Sequence, residues 1–117
     1  MPHSESVSRT VLDFAQEPGC AAGLRLSSLA AGTIVSVTTR HSEYRVLVID
    51  PREGRALITS KTWFPEPTEV RLEGATAGGS MMKTGWIGIG LKLEISVGGQ
   101  RVITSPVASV TVLSVPS

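Results

Sequence analysis

Between residues 33 and 113, apolar and polar positions alternate with a period of two, and turn-forming residues interrupt the alternation about every ten positions. Successive side chains of a strand point to opposite faces, so this pattern predicts short strands that bury one face. β-branched residues are frequent here, as a pleated and half-buried surface favours. We therefore predict an all-β protein, namely a small, partly open antiparallel barrel of six or seven strands.

The most extended alternation predicts one long strand over residues 86–97. Its inner face carries an aliphatic residue at every second position, namely Ile87, Ile89, Leu91, Leu93, Ile95 and Val97. Its outer face then carries Trp86, Gly88, Gly90, Lys92 and Glu94. Gly98-Gly99 comes next and predicts a two-residue hairpin turn, because glycine adopts the positive φ angles that such a turn requires. Two return strands, at 100–104 and 108–113, are expected on either side of Pro106.

Other turn signals divide the first half of the sheet. The run from Asp50 to Gly54 contains Pro51 and predicts a tight turn, since proline presets φ and the aspartate accepts hydrogen bonds from nearby backbone amides. The strand before this turn is apolar enough to be expected buried on both faces. Two prolines in residues 62–68 remove ladder donors and predict an extended connection. The glycine-rich residues 74–85 predict a loop.

The first part of the chain follows a different pattern. Residues 7–16 place apolar side chains at helical spacing before Pro18-Gly19, which predicts a short N-terminal helix. The segment that follows has no sustained period, but Leu24, Leu26 and Leu29 predict that it lies against the core. The expected organisation has three parts: helix and irregular lead-in at 1–32, β-barrel domain at 33–113 and tail at 114–117.

Composition and charge agree with one folded domain. The chain has 117 residues, of which 41% are hydrophobic and 18% charged, and its net charge of +1 gives no long-range field for a polyanion. The single cysteine, Cys20, cannot form an internal disulfide, so we expect a reducing, cytoplasmic location. We expect neither a signal peptide nor a membrane span, since no stretch approaches about 20 apolar residues.

Side chains that carry chemistry are few and scattered. A metal site needs three or four converging ligands, and His3, His41 and Cys20 stand at unrelated positions. We therefore predict no metal, no cofactor and no catalytic residue. A small-molecule enzyme stays as an alternative, and it would require a deep polar pocket that holds His41 together with a carboxylate such as Asp50.

Two glycine-rich motifs invite comparison with nucleotide-binding loops. Residues 78–84 end in Lys83-Thr84, but Met82 precedes the lysine where a phosphate-binding loop has glycine, and a strand follows where a helix is required. Residues 85–90 have their glycines in the reverse order of the dinucleotide fingerprint and lie in a predicted strand. Neither motif therefore predicts a nucleotide cofactor.

Nucleic-acid binding is the second alternative, because small barrels hold single strands with aromatic and basic residues. Five basic residues lie in one predicted hairpin region, namely Arg40, Arg45, Arg52, Arg55 and Lys61. Acidic residues are interleaved with them, namely Glu43, Asp50 and Glu53, and the chain has few aromatic residues. A solvated hairpin of mixed charge is the favoured interpretation, so we predict no useful affinity for nucleic acid.

Three short segments carry a resemblance to known proteins. They are Phe64-Pro65-Glu66-Pro67-Thr68-Glu69, Gly85-Trp86-Ile87-Gly88-Ile89-Gly90 and Thr104-Ser105-Pro106-Val107. On strands of this spacing, residues 29–113 resemble a group of small uncharacterised bacterial proteins, which implies a bacterial source and a compact β domain but no activity. In outline, residues 29–60 are also similar to the opening hairpins of SH3-like and Sm-like barrels, although the second Sm signature is absent.

The functional expectation is a non-catalytic binding or protein-interaction module whose partner is a protein or peptide. The predicted binding residues lie on the outer face of the long strand and beside it, namely Trp86, Gly88, Gly90, Lys92, Trp63 and Phe64. An exposed tryptophan is a strong binding anchor, and strand glycines admit a second backbone. In the alternative interpretation, the glycines let the strand coil while Trp86 covers one end of the barrel.

Overall fold

The computed structural model describes residues 22–77 and 81–116. These residues form nine strands and one 3-10 turn, Leu26–Ser28. The strands are β1 Gly23–Arg25, β2 Ile34–Thr39, β3 Glu43–Asp50, β4 Arg55–Thr59, β5 Thr68–Thr76, β6 Met82–Thr84, β7 Trp86–Gly88, β8 Lys92–Val97 and β9 Gln100–Ser114. The predicted all-β class is confirmed, whereas the helix predicted at residues 7–16 lies outside the described residues.

Seven strands form one antiparallel sheet in the order β4-β3-β2-β9-β8-β5-β6, and β4 also pairs with β5. Because of this additional pairing, six strands form a closed ring, and each of the six pairs with a neighbour on both sides. β6 lies outside the ring and pairs with β5, while β1 and β7 form a separate two-stranded sheet. None of the described residues forms a helix long and apolar enough to cross a membrane.

Alternate residues of the ring strands form the hydrophobic core. The core members contributed by the ring include Val35, Val37, Tyr44, Val46, Ile58, Val70, Leu72, Leu93, Ile95, Val107, Val110 and Val112. Leu24 and Leu26 are buried in the same cluster and Leu29 packs against it, which confirms the prediction that these three leucines lie against the core. β3 shows clear alternation, with Val46 buried and Leu47 only half-buried, so the expectation of burial on both faces is wrong.

The single long strand predicted over residues 86–97 is also wrong, because the chain turns in the middle of it. Gly90 has a φ of +88°, a left-handed conformation that glycine adopts without steric cost, and the amide of Leu91 donates to the carbonyl of Gly88 at 3.1 Å. The turn separates β7, which pairs with β1, from β8, which pairs with β5 and β9. The period of two survives the turn because Ile89 still packs against the core.

Two more boundaries differ from the prediction. Much of the glycine-rich segment is not a loop, because β5 continues to Thr76 and β6 pairs with its last three residues. Gly74 allows this approach, since a Cβ there would lie 2.3 Å from the carbonyl oxygen of Lys83. β9 runs through Pro106 as one strand of 15 residues and changes partner there, from β8 to β2. Proline, which lacks a ladder donor, is tolerated at such an irregular position.

Turns with strong local chemistry were predicted correctly. Asp50 Oδ1 accepts hydrogen bonds from the amides of Arg52 at 3.1 Å and Glu53 at 3.3 Å, and Gly54 closes the turn with a φ of +76°. Gly98 and Gly99 have φ angles of +56° and +81° between β8 and β9, as a two-residue hairpin turn requires.

Candidate functional site

Trp86 is buried, with 1% of its surface exposed, so it is not the exposed anchor that a docking face would need. Its indole lies against Gly23 and Gly88, which are directly opposite each other in the β1–β7 pair. A Cβ at Gly23 would lie 2.9 Å from Trp86 Nε1, and a Cβ at Gly88 would lie 3.0 Å from the same atom. The glycines therefore make room for the ring. Among the described residues, Nε1 has no hydrogen-bond acceptor.

The structure does not assemble the predicted outer face of residues 86–94 as one surface. Gly88 is buried in β7, Gly90 is exposed in the turn, and Lys92 is half-buried at the start of β8. The face was predicted from one continuous strand, and the turn at Gly90 removes that continuity. A binding role for these residues stays a prediction, but its geometric basis is corrected.

Trp63 and Phe64 have opposite environments within one short turn. Trp63 is 62% exposed, whereas Phe64 is 7% exposed and belongs to the core. Ser60 fixes the turn, because its Oγ accepts from the amides of Trp63 and Phe64, both at 3.1 Å. The amide of Ser60 also donates to the carbonyl of Phe64 at 2.7 Å. The turn therefore anchors one aromatic ring in the core and presents the other to solvent.

Two clefts flank this turn, and Glu43 and Lys61 line both of them. One has a volume of about 260 Å³ and is lined by Glu43, Arg45, Thr59, Ser60, Lys61 and Pro65. The other has a volume of about 270 Å³ and is lined by His41, Ser42, Glu43, Lys61 and Thr62. We call Trp63, Lys61, Arg45 and Pro65 the Trp63 surface.

The charges of the Trp63 surface are only partly balanced. Glu43 Oε2 accepts from Ser36 Oγ at 2.8 Å and lies 3.7 Å from Arg45 Nη2. Lys61 has no ion pair with any described residue, although it lines both clefts. The surface thus offers an ammonium group that has no ion pair among the described residues, two positions before the exposed Trp63.

His41 lines the second cleft together with Glu43, and both side chains are exposed. His41 makes no hydrogen bond within the described part of the chain, so nothing there orients its ring as a general base requires. Over residues 22–77 and 81–116, no group of three or more potential metal ligands converges.

A third cleft, of about 280 Å³, lies beside Trp86 and was not predicted from the sequence. Its lining residues are Arg25, Ser27, Pro51, Arg52, Lys83, Thr84, Gly85 and Trp86. We call it the basic cleft, since it contains three cationic side chains and no lining carboxylate. The three come from β1, the β3–β4 turn and β6. Their separation in sequence left no local motif by which to recognise the cleft.

Most other arginines have a carboxylate partner. Arg55 Nη2 lies 2.7 Å from Glu69 Oε2. This contact raises the pKa of the Arg55 guanidinium, mainly through the hydrogen bond and to a smaller extent through the charge of Glu69. Arg71 Nη2 lies 3.3 Å from Glu53 Oε1, and Arg101 Nη1 lies 3.7 Å from Glu94 Oε2. The first two pairs are exposed on both sides and contribute little to stability, whereas Glu94 in the third pair is largely buried. All three neutralise the surface on which they lie.

In comparisons with known proteins, no family model, curated protein or solved structure matches the chain. The resemblance to small bacterial proteins and to SH3-like or Sm-like barrels therefore stays a prediction.

Proposed function

We propose that the protein is a non-catalytic interaction module that binds an extended segment of a partner protein on the Trp63 surface. The observation that carries this proposal is the 62% exposure of Trp63 on a turn anchored by buried Phe64. Tryptophan is enriched among the residues that dominate binding energy, and a large indole left in solvent has apolar surface to bury against a partner.

Preorganisation strengthens this interpretation. Binding is weakened when it must first order loops and side chains, at a cost of about 0.5–1.5 kcal/mol for each immobilised side chain. The turn that carries Trp63 is already fixed by two hydrogen bonds to Ser60 Oγ and by the burial of Phe64. Its backbone therefore needs little further ordering when a partner arrives.

The charges around Trp63 indicate the chemistry of the segment. Lys61 has no carboxylate partner among the described residues, and Glu43 is occupied by Ser36 and Arg45. A partner carboxylate can therefore pair with Lys61 while a neighbouring apolar side chain packs on the indole of Trp63. We assign the partner as a peptide segment with an apolar residue close to an acidic one.

Within this proposal, the closed ring of six strands is interpreted as a small barrel with an SH3-like outline, in a bacterial cytoplasmic protein. A nucleic-acid-binding barrel is the second candidate, because a base can stack on an exposed indole while Arg45 and Lys61 contact phosphates. A small-molecule enzyme that uses His41 is the third candidate. It is the least favoured of the three, because the side chain of His41 is exposed.

The test is selection from a library of extended peptides, followed by affinity measurements on the selected sequences. We expect enrichment of segments that pair an apolar residue with Asp or Glu. Trp63→Ala should weaken their binding roughly thirtyfold, as expected for a dominant anchor worth about 2 kcal/mol. Met81→Ala, which truncates an apolar side chain that is 80% exposed outside this surface, should change affinity less than about twofold.

Two results would contradict the proposal. One is selection of peptides whose affinity is the same for wild type and Trp63→Ala. The other is failure to select any sequence while oligonucleotides bind in a salt-sensitive manner that Trp63→Ala abolishes, which would favour the nucleic-acid candidate.

A further inference from the structure

We propose that the basic cleft binds the phosphate group of a small phosphorylated molecule, at a site separate from the Trp63 surface. Arg25, Arg52 and Lys83 line a cleft of about 280 Å³ in which no carboxylate is part of the lining. A phosphate group carries close to two negative charges at neutral pH and accepts several charge-assisted hydrogen bonds, so it matches a site with several cations.

The acidic residues nearest in sequence to Arg52 are already engaged elsewhere. Asp50 Oδ1 accepts from the amides of Arg52 and Glu53, within its own turn. Glu53 Oε1 forms an ion pair with Arg71. The Arg71 side chain also donates a hydrogen bond to the backbone carbonyl oxygen of Glu53. Within the described part of the chain, Arg25, Arg52 and Lys83 themselves have no ion pair. Among the described residues, none of these three cations is therefore neutralised by a direct ion pair, although Glu53 and Glu73 line an adjoining cleft that shares Arg52 and Thr84 with the basic cleft.

Each of the three cations is attached to an ordered part of the backbone. Arg25 lies directly opposite Trp86 in the β1–β7 pair, and Arg52 belongs to the turn fixed by Asp50. Lys83 lies in β6, with its Nζ 4.0 Å from the centroid of the Trp86 ring. A cation–π contact holds the ammonium group in place without removing its charge, so the group remains able to pair with an anion.

The remaining lining groups fit the same ligand. Ser27 and Thr84 contribute hydroxyls, which donate hydrogen bonds to phosphate oxygens. Small-molecule pockets have volumes of roughly 300–1,000 Å³, so a cleft of about 280 Å³ accommodates a phosphate or diphosphate while the rest of the molecule extends outward. The buried Nε1 of Trp86 faces the backbone of Gly23 and Gly88, so we assign it no ligand contact.

This site differs from a phosphate-binding loop. Such a loop cradles phosphate with successive backbone amides at the start of a helix, whereas Lys83-Thr84 ends strand β6 and is followed, after the turn residue Gly85, by another strand, β7. The amide of Gly85 donates to the carbonyl of Glu73 at 3.0 Å and is not free for a ligand. Recognition here is by side chains from β1, the β3–β4 turn and β6.

The probe is inorganic pyrophosphate, titrated into the full chain and followed by calorimetry, and by intrinsic fluorescence in Trp63→Phe, where Trp86 is the one remaining tryptophan. We expect saturable binding of one equivalent. Arg52→Gln and Lys83→Gln should each weaken it roughly tenfold, as the loss of one charge-assisted hydrogen bond predicts. Arg40→Gln, which removes an exposed cation outside the cleft, should change affinity less than about twofold. Thermal melts of each variant serve as the control for a loss of fold.

Three results would overturn this assignment. The first is no saturable binding of pyrophosphate at millimolar concentrations. The second is a loss of pyrophosphate affinity in Arg40→Gln equal to the loss in Arg52→Gln and Lys83→Gln, which would show attraction by net charge alone. The third is binding of single-stranded DNA that displaces pyrophosphate and is far tighter, which would make the cleft a nucleic-acid site. Trp63→Ala should leave pyrophosphate binding unchanged, so this inference and the proposed peptide function fail independently.

Discussion

Gly23 lies directly opposite Gly88 in the β1–β7 pair, and the indole of Trp86 lies against both of them. The absence of two side chains creates the space that the ring fills, so the glycines and the tryptophan act as one packing unit. Lys83 covers the ring from the solvent side, with its Nζ 4.0 Å from the ring centroid. This arrangement couples the small two-stranded sheet to the wall of the basic cleft.

Gly88→Ala should destabilise the protein by about 1–3 kcal/mol, because the new methyl would lie 2.9 Å from Leu91 Cδ1 and 3.0 Å from Trp86 Nε1. Urea unfolding measures this loss. The double variant Gly88→Ala with Trp86→Leu should lose less than the sum of the two single variants, since the smaller side chain makes room for the methyl. Strict additivity would show that the ring does not depend on the glycine.

Truncation of the two tryptophans should change the free energy of unfolding by very different amounts. Trp86→Ala removes a fully buried ring and should cost about 3–5 kcal/mol. Trp63→Ala removes a ring that is 62% exposed and should change the free energy of unfolding by less than about 0.5 kcal/mol. Chemical unfolding followed by circular dichroism gives both values, and each variant is the matched control for the other. Equal losses would contradict the assigned environments.

These environments show what the sequence could and could not predict. The turns at Asp50 and at Gly98-Gly99 were predictable because their conformation depends on neighbouring residues alone. The break at Gly90 was not, because the apolar period of two continues through it and still leads to core residues. The environment of Trp86 depends on its pairing with β1, which no local pattern encodes.

The basic cleft shows the same limit for functional residues. Arg25, Arg52 and Lys83 are separated by about 30 residues each and meet only through long-range strand pairing. Trp63 was predicted together with Phe64 only as a border of the long-strand face, in a segment that two prolines keep extended. The sequence did not predict that Trp63 is exposed while Phe64 is buried, because that difference depends on how the turn packs on the core.

Leu93 and Leu91 provide a test of the turn that replaces the long strand. Leu93 is fully buried in β8, so Leu93→Ala should cost about 2–5 kcal/mol. Leu91 is half-buried in the turn, and Leu91→Ala should cost about 1 kcal/mol. A continuous strand would place both side chains in the core, so equal large losses in urea unfolding would favour the strand over the turn.

Tyr44 predicts how stability changes at alkaline pH. Burial raises the pKa of its phenol, and a hydrogen bond with Ser42 opposes that shift only in part. A folded-state pKa above the unfolded value of about 10 means that the contribution is complete below pH 10. It is lost as the pH rises through the folded pKa, because the unfolded chain then releases the proton more readily.

The chain has one tyrosine, so phenolate absorbance reports Tyr44 alone. We expect a titration midpoint above about 10 in the folded protein and near 10 in urea. Tyr44→Phe should reduce the decline of unfolding free energy above pH 10. A folded midpoint at or below the urea value would contradict the assigned burial effect.

Single-stranded nucleic acid should bind weakly, in spite of the basic residues along β3, β4 and the Trp63 turn. Arg55 is paired with Glu69 at 2.7 Å and Arg45 lies 3.7 Å from Glu43, so the row of cations that a phosphate backbone would follow is interrupted by carboxylates. Affinity from phosphate contacts scales with the number of cations that release counterions. With a net charge of +1, we expect dissociation constants of roughly 10⁻⁴ M or weaker for oligonucleotides near physiological salt.

Fluorescence anisotropy across a salt series measures both the affinity and the salt slope. Glu43→Gln together with Glu69→Gln, which frees both arginines, should strengthen binding and steepen that slope. Tight binding by the unmodified protein, lost in Arg45→Gln with Arg55→Gln, would instead show that these arginines reach phosphates despite their partners.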